Sequence, residues 1–207
     1  MRLIVFGATG TLGRQVVGQA LAQGHRVTAF SRHPENLSID SPDLTPVFGD
    51  VLDRSAVEAA VKGHDAVIVA LGAGHKGGIR AAGTQNVIDG MKGQGISRLI
   101  CLSTMGAGDS RPLLNFFWKR IMFGLLLRAA YADHQAQENA VRDSGLDWTL
   151  VRPAAFTDGP VTGVYRHGFA NTVKDLALKI SRADVADFML RQLTDSAYLR
   201  QAPGLSY

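Results

Sequence analysis

Short apolar runs alternate with segments of helical periodicity along most of this chain. Six runs of four to six residues are rich in Val, Ile, Leu and Phe, which is typical of strands buried in a parallel sheet. The segments between them place apolar residues three and four positions apart, as amphipathic helices do. The pattern predicts strands at 3–6, 27–30, 46–49, 66–71, 98–103 and 147–151, and helices at 11–23, 53–62, 79–93 and 133–144.

The alternation of strands and helices predicts the fold class. Each helix is followed by a glycine, and strands this apolar must be covered on both faces. Because crossovers between parallel strands are right-handed, we expect an α/β fold with a Rossmann-like doubly wound parallel sheet. We expect one domain over 1–207, with the core at about 1–151 and a small extension at about 152–207 that packs over the ends of the sheet.

The strongest chemical signal lies between the first strand and the first helix, in the stretch FGATGTLG. The glycines there permit a tight turn, a close approach of the backbone to a pyrophosphate, and close packing of helix on strand. A helix N-terminus at this position attracts phosphate, and two threonine hydroxyls can add donors. The predicted phosphate-binding residues are Gly7, Thr9, Gly10, Thr11, Leu12 and Gly13.

Residues after the next strands specify the cofactor further. Ser31 and Arg32 follow the second strand, where a protein specific for NAD usually carries an acid, and a guanidinium matches a 2′-phosphate. We therefore predict NADP(H) as the cofactor. Asp50 and Val51 are placed to contact adenine, and the small turn Leu71, Gly72 and Ala73 lies where a ligand crosses the sheet.

Composition limits the compartments and partners. The net charge of +4 is too small to imply nucleic acid, and we predict no metal site. The single cysteine, Cys101, lies in an apolar run, so we expect a buried thiol and a reducing, cytoplasmic compartment. We expect no secretory signal before the first strand. Lys119 and Arg120 interrupt the apolar run 113–127, so we predict no membrane span.

The motifs together resemble one family along nearly the whole chain. The GATGTLG loop, the stretch DHQAQENAVRDSGLDWTLVRPAAF and the later ISRADVADFMLRQL resemble atypical short-chain dehydrogenase/reductases of the NmrA-like branch. The resemblance is greatest to the biliverdin-IXβ reductase/flavin reductase family, which uses NADPH to reduce flavins and some tetrapyrroles. The family implies catalytic or orienting roles for Ser103, Thr104 and His134, and a nicotinamide wall formed by Pro153, Ala154, Ala155 and Phe156. Animal members have a histidine where this chain has Ala155, which puts a bilin substrate in doubt.

The stretch YADHQAQE bears on the proton source. A short-chain dehydrogenase usually pairs a tyrosine with a lysine four residues later, but Tyr131 is followed by Gln135. An unshifted phenol is a poor acid, which makes Tyr131 an unfavourable proton donor. His134 and Glu138 are four residues apart on one helix face. They form either a partly protonated imidazole that contacts the cofactor or an exposed pair without a role in catalysis.

These observations favour a reductase that transfers hydride to a planar conjugated acceptor, such as FMN, a quinone or a bilin. Such acceptors spread the resulting charge, so solvent can supply the proton. A second interpretation is a non-catalytic NmrA-like sensor of NADP(H). A nucleotide-sugar epimerase is disfavoured because it normally needs the tyrosine–lysine pair. The sequence leaves a monomer and a homodimer open.

One apolar segment, residues 112–130, is interpreted as a lid over the nicotinamide. Its aromatic and sulfur-containing side chains can stack on a planar acceptor, and its basic neighbours suit an anionic one. The alternatives are ordinary core and a subunit contact. The side chains concerned are Phe116, Phe117, Trp118, Met122 and Phe123.

Overall fold

A computed structural model of the chain describes residues 1–72, 77–169, 173 and 175–207. The strands are β1 (Arg2–Phe6), β2 (Arg26–Ser31), β3 (Leu44–Phe48), β4 (Ala66–Val69), β5 (Arg98–Leu102), β6 (Asp147–Pro153), β7 (Ala155–Thr157), β8 (Arg166–His167), β9 (Lys179–Ser181) and β10 (Gly204–Ser206). The α-helices are α1 (Thr11–Ala22), α2 (Arg54–Val61), α3 (Arg80–Gly93), α4 (Arg128–Arg142) and α5 (Arg182–Arg191). Short 3₁₀ turns at Pro34–Asn36 and Gly108–Leu113 and a π-helix at Phe117–Leu126 complete the described elements.

The main sheet has the order β3-β2-β1-β4-β5-β6-β10-β8. Its neighbouring strands pair in parallel, except that β8 runs antiparallel to β10. The chain builds outward from β1 to β3 and then crosses to β4 on the other side of β1, which creates a switch point at the carboxyl ends of β1 and β4. The predicted Rossmann-like doubly wound fold is confirmed.

Alternation along the strands divides the core between the two faces of the sheet. In β1, Leu3 and Val5 belong to a cluster covered by α1 and α5, whereas Ile4 and Phe6 belong to a cluster covered by α2, α3 and α4. All four side chains are completely buried. Cover on both faces is therefore the physical reason that these strands are continuous apolar runs.

Most predicted boundaries agree with the structure to within two residues, and one differs by five. The fourth strand ends at Val69, two residues before the predicted end, and α4 begins at Arg128 instead of residue 133. The five extra helical residues, RAAYA, include three alanines, which favour helix, and only Leu127 separates them from the π-helix. Cys101 is buried in β5 as predicted, and burial raises the pKa of its thiol.

The end of the chain does more than cover the ends of the sheet. β10 pairs with β6 and extends the sheet, and α5 packs beside α1 on one face. The sequence did not predict β10, because a three-residue strand carries too little periodicity to detect. Arg98 helps to fix this region, since its guanidinium donates to the carbonyl oxygens of Asp147 (2.8 Å) and Gln192 (3.0 Å from Nε).

Asp184 joins the C-terminal region into one network. Its carboxylate accepts hydrogen bonds from the Tyr207 hydroxyl (2.6 Å), the Thr162 backbone N–H (2.7 Å) and the Gly163 N–H (3.0 Å). Burial alone would raise the pKa of Asp184, but these hydrogen bonds outweigh it, so the pKa is lowered. The ionised carboxylate therefore connects α5 to the loop before β8 and to the last residue of the chain.

This network predicts a pH-dependent contribution to stability. An Asp carboxyl titrates near pH 4 in an unfolded chain, and its pKa is lower in this fold, so its contribution is complete above about pH 5 and is lost as the pH falls through the folded value. We expect Asp184→Asn to lower the free energy of unfolding by about 2–4 kcal/mol at neutral pH, and by less near pH 3. Urea denaturation at both pH values measures this. The exposed Asp40→Asn is the control, and an equal loss at both pH values would contradict the argument.

Candidate active site

The turn between β1 and α1 brings a helix N-terminus against the ends of two strands. Gly7 has a φ of +81°, and a Cβ there would overlap the carbonyl group of Ala70 after β4. A Cβ at Gly13 would overlap the Gly7 carbonyl oxygen, so this glycine packs behind the turn. Gly10 caps α1 and donates its N–H to the Gly7 oxygen over 3.0 Å. The turn thus leaves space for a phosphate at the start of the helix.

A cleft of 230 Å³ lies on the β2 side of this turn. Thr9 and Ser31 are joined there through their hydroxyl oxygens, 2.6 Å apart, and the exposed Arg32 follows at the end of β2. Asp50 accepts the Leu52 N–H over 2.9 Å, which holds the turn after β3. The cleft is lined by Gly7, Thr9, Gly10, Phe30, Ser31, Arg32, Gly49, Asp50, Val51, Leu52, Leu71, Gly72 and Ile79.

A larger cavity of 360 Å³ lies on the β5 side. Most of its lining side chains are apolar, and we call the polar group formed by Ser103 and Thr104 after β5 and His134 on α4 its polar end. Its predicted residues are Gly10, Thr11, Leu12, Leu71, Gly72, Ser103, Thr104, His134, Pro153, Ala154, Ala155 and Phe156, and its further residues are Ala70, Arg80, Leu102, Met105, Leu114, Phe123, Leu127, Ala130 and Leu178.

The cleft and the cavity share Gly10, Leu71 and Gly72. They therefore form one groove across the switch point, with the phosphate turn at its middle. A dinucleotide fits this groove, because side chains at Gly7 and Gly13 would force the turn and the helix apart where the phosphates must approach the backbone. Apart from Gly13, which packs behind the turn, the predicted site residues that the structure describes line the groove; Ala73 lies outside the described residues.

The protonation state of His134 differs from the expectation that Glu138 keeps the imidazole partly protonated. Its side chain lies in the interior with 9% exposure, and its Nδ1 has no hydrogen-bond partner of ordinary geometry among the described residues. Burial, with the positive charge of Arg80, lowers the pKa of His134 to about 4, although Asp133 and Glu138 act in the opposite direction. The imidazole at the cavity is thus neutral at pH 7. Because the ring is buried, the alternative of an exposed pair is wrong too.

Glu138 is occupied by other groups. Arg152 donates to it from Nε (2.8 Å) and from Nη2 (2.6 Å), and the Ser103 hydroxyl donates to the same carboxylate over 2.6 Å. Arg152 also bonds Asp109 over 2.6 Å. Burial lowers the pKa of Arg152, but these carboxylates outweigh it, so the pKa is raised.

The network orients the polar end of the cavity. Ser103 is positioned with its proton directed to Glu138, which leaves its lone pairs for a donor. Thr104, half-buried beside it, makes a long bond of 3.4 Å to the Met105 oxygen. Sequence reasoning missed Glu138 and Arg152 as a pair. A charged residue inside the apolar strand TLVRP was the available signal.

Arg80 is a second residue that sequence reasoning missed. It lines the cavity with 8% exposure, and its Nη1 lies 3.5 Å from the Asp133 carboxylate. That carboxylate also accepts the N–H groups of Arg80 (3.1 Å) and Ala81 (3.0 Å), so α4 caps α3. The Nε is buried without a partner among the described residues. A cation in the first turn of a helix opposes the helix dipole and was the signal to notice.

Tyr131 is not among the residues that line the cavity. Its ring is half-buried against Phe123, with centroids 5.2 Å apart, and the Arg111 guanidinium lies 5.5 Å from its centre. Gln135 accepts the Gly108 N–H instead of assisting a phenol. This arrangement agrees with the prediction that Tyr131 is an unfavourable acid.

The apolar segment is only partly a lid. Leu114, Phe123 and Leu127 reach the cavity, whereas Phe116 and Phe117 face outward with 73% and 50% exposure. The prediction that Phe116 and Phe117 stack on an acceptor is therefore wrong. Phe123 lines the cavity, whereas these two rings are exposed on the other side of the segment. The Trp118 side chain lies outside the described residues.

Comparisons with known proteins agree with this geometry. A family profile described as NAD(P)H-binding matches residues 7–196. A (4-alkanoyl-5-oxo-2,5-dihydrofuran-3-yl)methyl phosphate reductase of Streptomyces griseus is 31% identical over 74% of this chain and 48% of its own length. The chain thus spans about half the length of this curated relative.

Two further proteins are similar. The divinyl chlorophyllide a 8-vinyl-reductase of Zea mays is 29% identical over 74% of this chain and 40% of its own length. The solved structure of an anaerobilin reductase from Escherichia coli O157:H7 is 27% identical, covers 99% of this chain and 96% of its own, and superposes with a TM-score of 0.81. The predicted resemblance and the nicotinamide cofactor are confirmed at the level of NAD(P)H binding. The chain belongs to the NAD(P)H-binding family, and the proteins similar to it include reductases.

Proposed function

We propose that this protein is an NADPH-dependent reductase of planar conjugated acceptors, in the first place a flavin or a quinone. The observation that carries the proposal is the mainly apolar 360 Å³ cavity next to the phosphate turn, which is lined by the neutral imidazole of His134 and not by Tyr131. This volume is near the lower limit of small-molecule sites, so it suits a nicotinamide with the reacting part of a flat acceptor.

The cofactor would be held by residues on both sides of the switch point. The turn from Gly7 to Gly13 and the start of α1 would bind the pyrophosphate, and Ser31 with Arg32 would bind the 2′-phosphate. Asp50 and Val51 would contact adenine. The nicotinamide would lie against Pro153, Ala154, Ala155 and Phe156, which exclude water from that side.

A bound reduced nicotinamide would supply a hydride ion, which is a proton with two electrons, to the acceptor. After hydride transfer, a quinone or flavin needs one more proton. The extended conjugated system of the acceptor spreads the negative charge until water delivers that proton. A simple ketone would leave a localised alkoxide and would need an acid. The absence of a lysine four residues after Tyr131 therefore restricts the acceptor and is compatible with catalysis.

The residues at the polar end would orient the reactants and stabilise charge. Glu138 and Arg152 hold Ser103, and Thr104 would bond the carboxamide or the acceptor. His134, as a neutral imidazole, would donate or accept one hydrogen bond. Arg80 is a buried cation at this cavity, and it would stabilise an anionic acceptor or a pyrophosphate oxygen.

The relatives' names support this acceptor class. Two of these names contain the substrates chlorophyllide and anaerobilin, and both are extended conjugated molecules. Ala155 lines the cavity without an imidazole, as half-buried aliphatic surface, so a bilin would have to be protonated by solvent here. A bilin therefore belongs in the panel of acceptors.

The first prediction concerns the acceptor panel. We expect purified protein to oxidise NADPH when FMN, a quinone, dichlorophenolindophenol or a bilin is present, and not with a simple ketone. The nicotinamide absorbance band measures the reaction. Tight NADPH binding without oxidation by any of these acceptors would contradict the reductase proposal and favour an NADP(H) sensor.

The second prediction concerns cofactor choice. Arg32→Ala removes the guanidinium expected at the 2′-phosphate, so KM for NADPH should rise about 10- to 100-fold while KM for NADH stays unchanged. The exposed Arg54→Ala on α2 is the matched control. If Arg32→Ala, like the control, kept the native ratio of kcat/KM for NADPH to kcat/KM for NADH, the 2′-phosphate site would lie elsewhere.

The third prediction concerns pH. Because the pKa of His134 is lowered to about 4, its imidazole does not change charge near neutrality. We expect kcat/KM for NADPH with a quinone to be level between about pH 6 and 8. A titration of the His134 ring protons by NMR gives the pKa directly. The contrary result would be a change in kcat/KM with an apparent pKa near 6.5, the ordinary value for histidine. If this pH dependence disappeared in His134→Gln, the imidazole would have a proton-transfer role.

A further inference from the structure

The apolar segment carries a group of exposed hydrophobic side chains on its outer side. The exposed fractions there are 73% for Phe116, 50% for Phe117, 40% for Ile121, 73% for Leu125 and 61% for Leu126. Scattered exposed apolar side chains are normal, but a group of this size within one short segment marks an interaction surface. None of the described helices is long and apolar enough to cross a membrane.

The surroundings of this surface are basic. Arg111, Arg120 and Arg128 are exposed, and the sequence has no Asp or Glu from 110 to 132. The acids that flank this stretch are already paired: Asp109 lies 2.6 Å from Arg152, and Asp133 lies 3.5 Å from Arg80. The segment therefore combines exposed apolar side chains with exposed arginines that no acid between positions 110 and 132 balances.

We propose that the apolar segment docks on the surface of an anionic lipid bilayer. Apolar side chains with arginines beside them match the interface of such a bilayer, where acyl chains lie just below negatively charged headgroups. A second copy is a poorer occupant, because a two-fold interface would place the same arginines against one another. The docking would be peripheral, with Leu125 and Leu126 inserted and the arginines at the headgroups.

The inner side of the same segment gives the docking a consequence. Leu114, Phe123 and Leu127 line the cavity, so the segment that carries the exposed apolar side chains also borders the cavity. A conjugated acceptor with an apolar tail, such as a lipid-soluble quinone, can then pass from the bilayer to the nicotinamide side. This step rests on the proposed reductase function, whereas the docking does not.

The docking is tested by co-sedimentation with phosphatidylcholine vesicles, with and without phosphatidylglycerol. We expect binding to the anionic vesicles that weakens as salt increases. Leu125→Glu with Leu126→Glu should reduce binding at least about tenfold, because each leucine loses its burial in the interface. Phe48→Glu is the apolar control, since this side chain is 77% exposed on the edge strand β3.

The basic residues are tested in the same assay. Arg120→Glu with Arg128→Glu should weaken binding about tenfold or more, since each basic residue near an anionic surface contributes about 1 kcal/mol. Lys62→Glu with Lys92→Glu makes the same change in net charge at two exposed positions near the ends of α2 and α3, and should have little effect. Circular dichroism and NADPH binding confirm that each variant is folded.

Three outcomes would overturn the docking. They are no vesicle binding, binding that the segment variants do not change, and a dimer in solution that Leu125→Glu with Leu126→Glu dissociates while vesicles remain unbound. The last would assign the surface to a second copy.

Acceptor delivery has its own assay. The wild type should reduce a quinone dissolved in anionic vesicles faster than the leucine double variant does, with equal rates for a water-soluble quinone. Equal rates in vesicles would refute delivery while leaving docking intact. Failure to reduce either quinone or any other acceptor of the panel would refute the reductase function instead.

Discussion

The guanidinium of Arg152 and the carboxylate of Glu138 meet in the interior at 2.6 and 2.8 Å, and the reactive side of the groove depends on this pair. The pair connects β6 to α4, and Ser103 at the end of β5 joins it through its hydroxyl. Burial, with the nearby charge of Arg80, keeps His134 neutral although Glu138 acts in the opposite direction. Removing one partner would leave a buried charge uncompensated, which costs about 3–5 kcal/mol.

This network lies beside a groove whose middle is formed by glycines, which have no side chain. Gly7 and Gly13 let α1 approach the ends of β1 and β4, and the cleft and cavity join there. One half of the groove is polar at its mouth, with Arg32 and Asp50, and the other half is mainly apolar. Such a division suits a charged dinucleotide on one side and a flat, weakly polar acceptor on the other.

The local patterns in the sequence carried much of the fold. Each predicted strand and helix is present, and the errors are boundary shifts of one or two residues, the early start of α4 at Arg128, and the short strands β7 to β10, which were not predicted. Buried parallel strands and glycine turns have strong local signals, because burial on both faces and positive φ restrict the residue types. A three-residue strand near a sheet edge has no such signal, since its place is decided by the partner it finds.

The sequence by itself determined the phosphate turn, the cofactor class and the lack of a lysine partner for Tyr131, because each depends on residues that are close in the chain. Only the tertiary structure decided the state of His134, the pairing of Glu138 with Arg152, the burial of Arg80 and the outward direction of Phe116 and Phe117. These depend on how β6, α3, α4 and the π-helix pack against one another, which no local pattern of residues specifies. A charge state is set by burial and by every neighbouring charge, and helical spacing alone specifies neither.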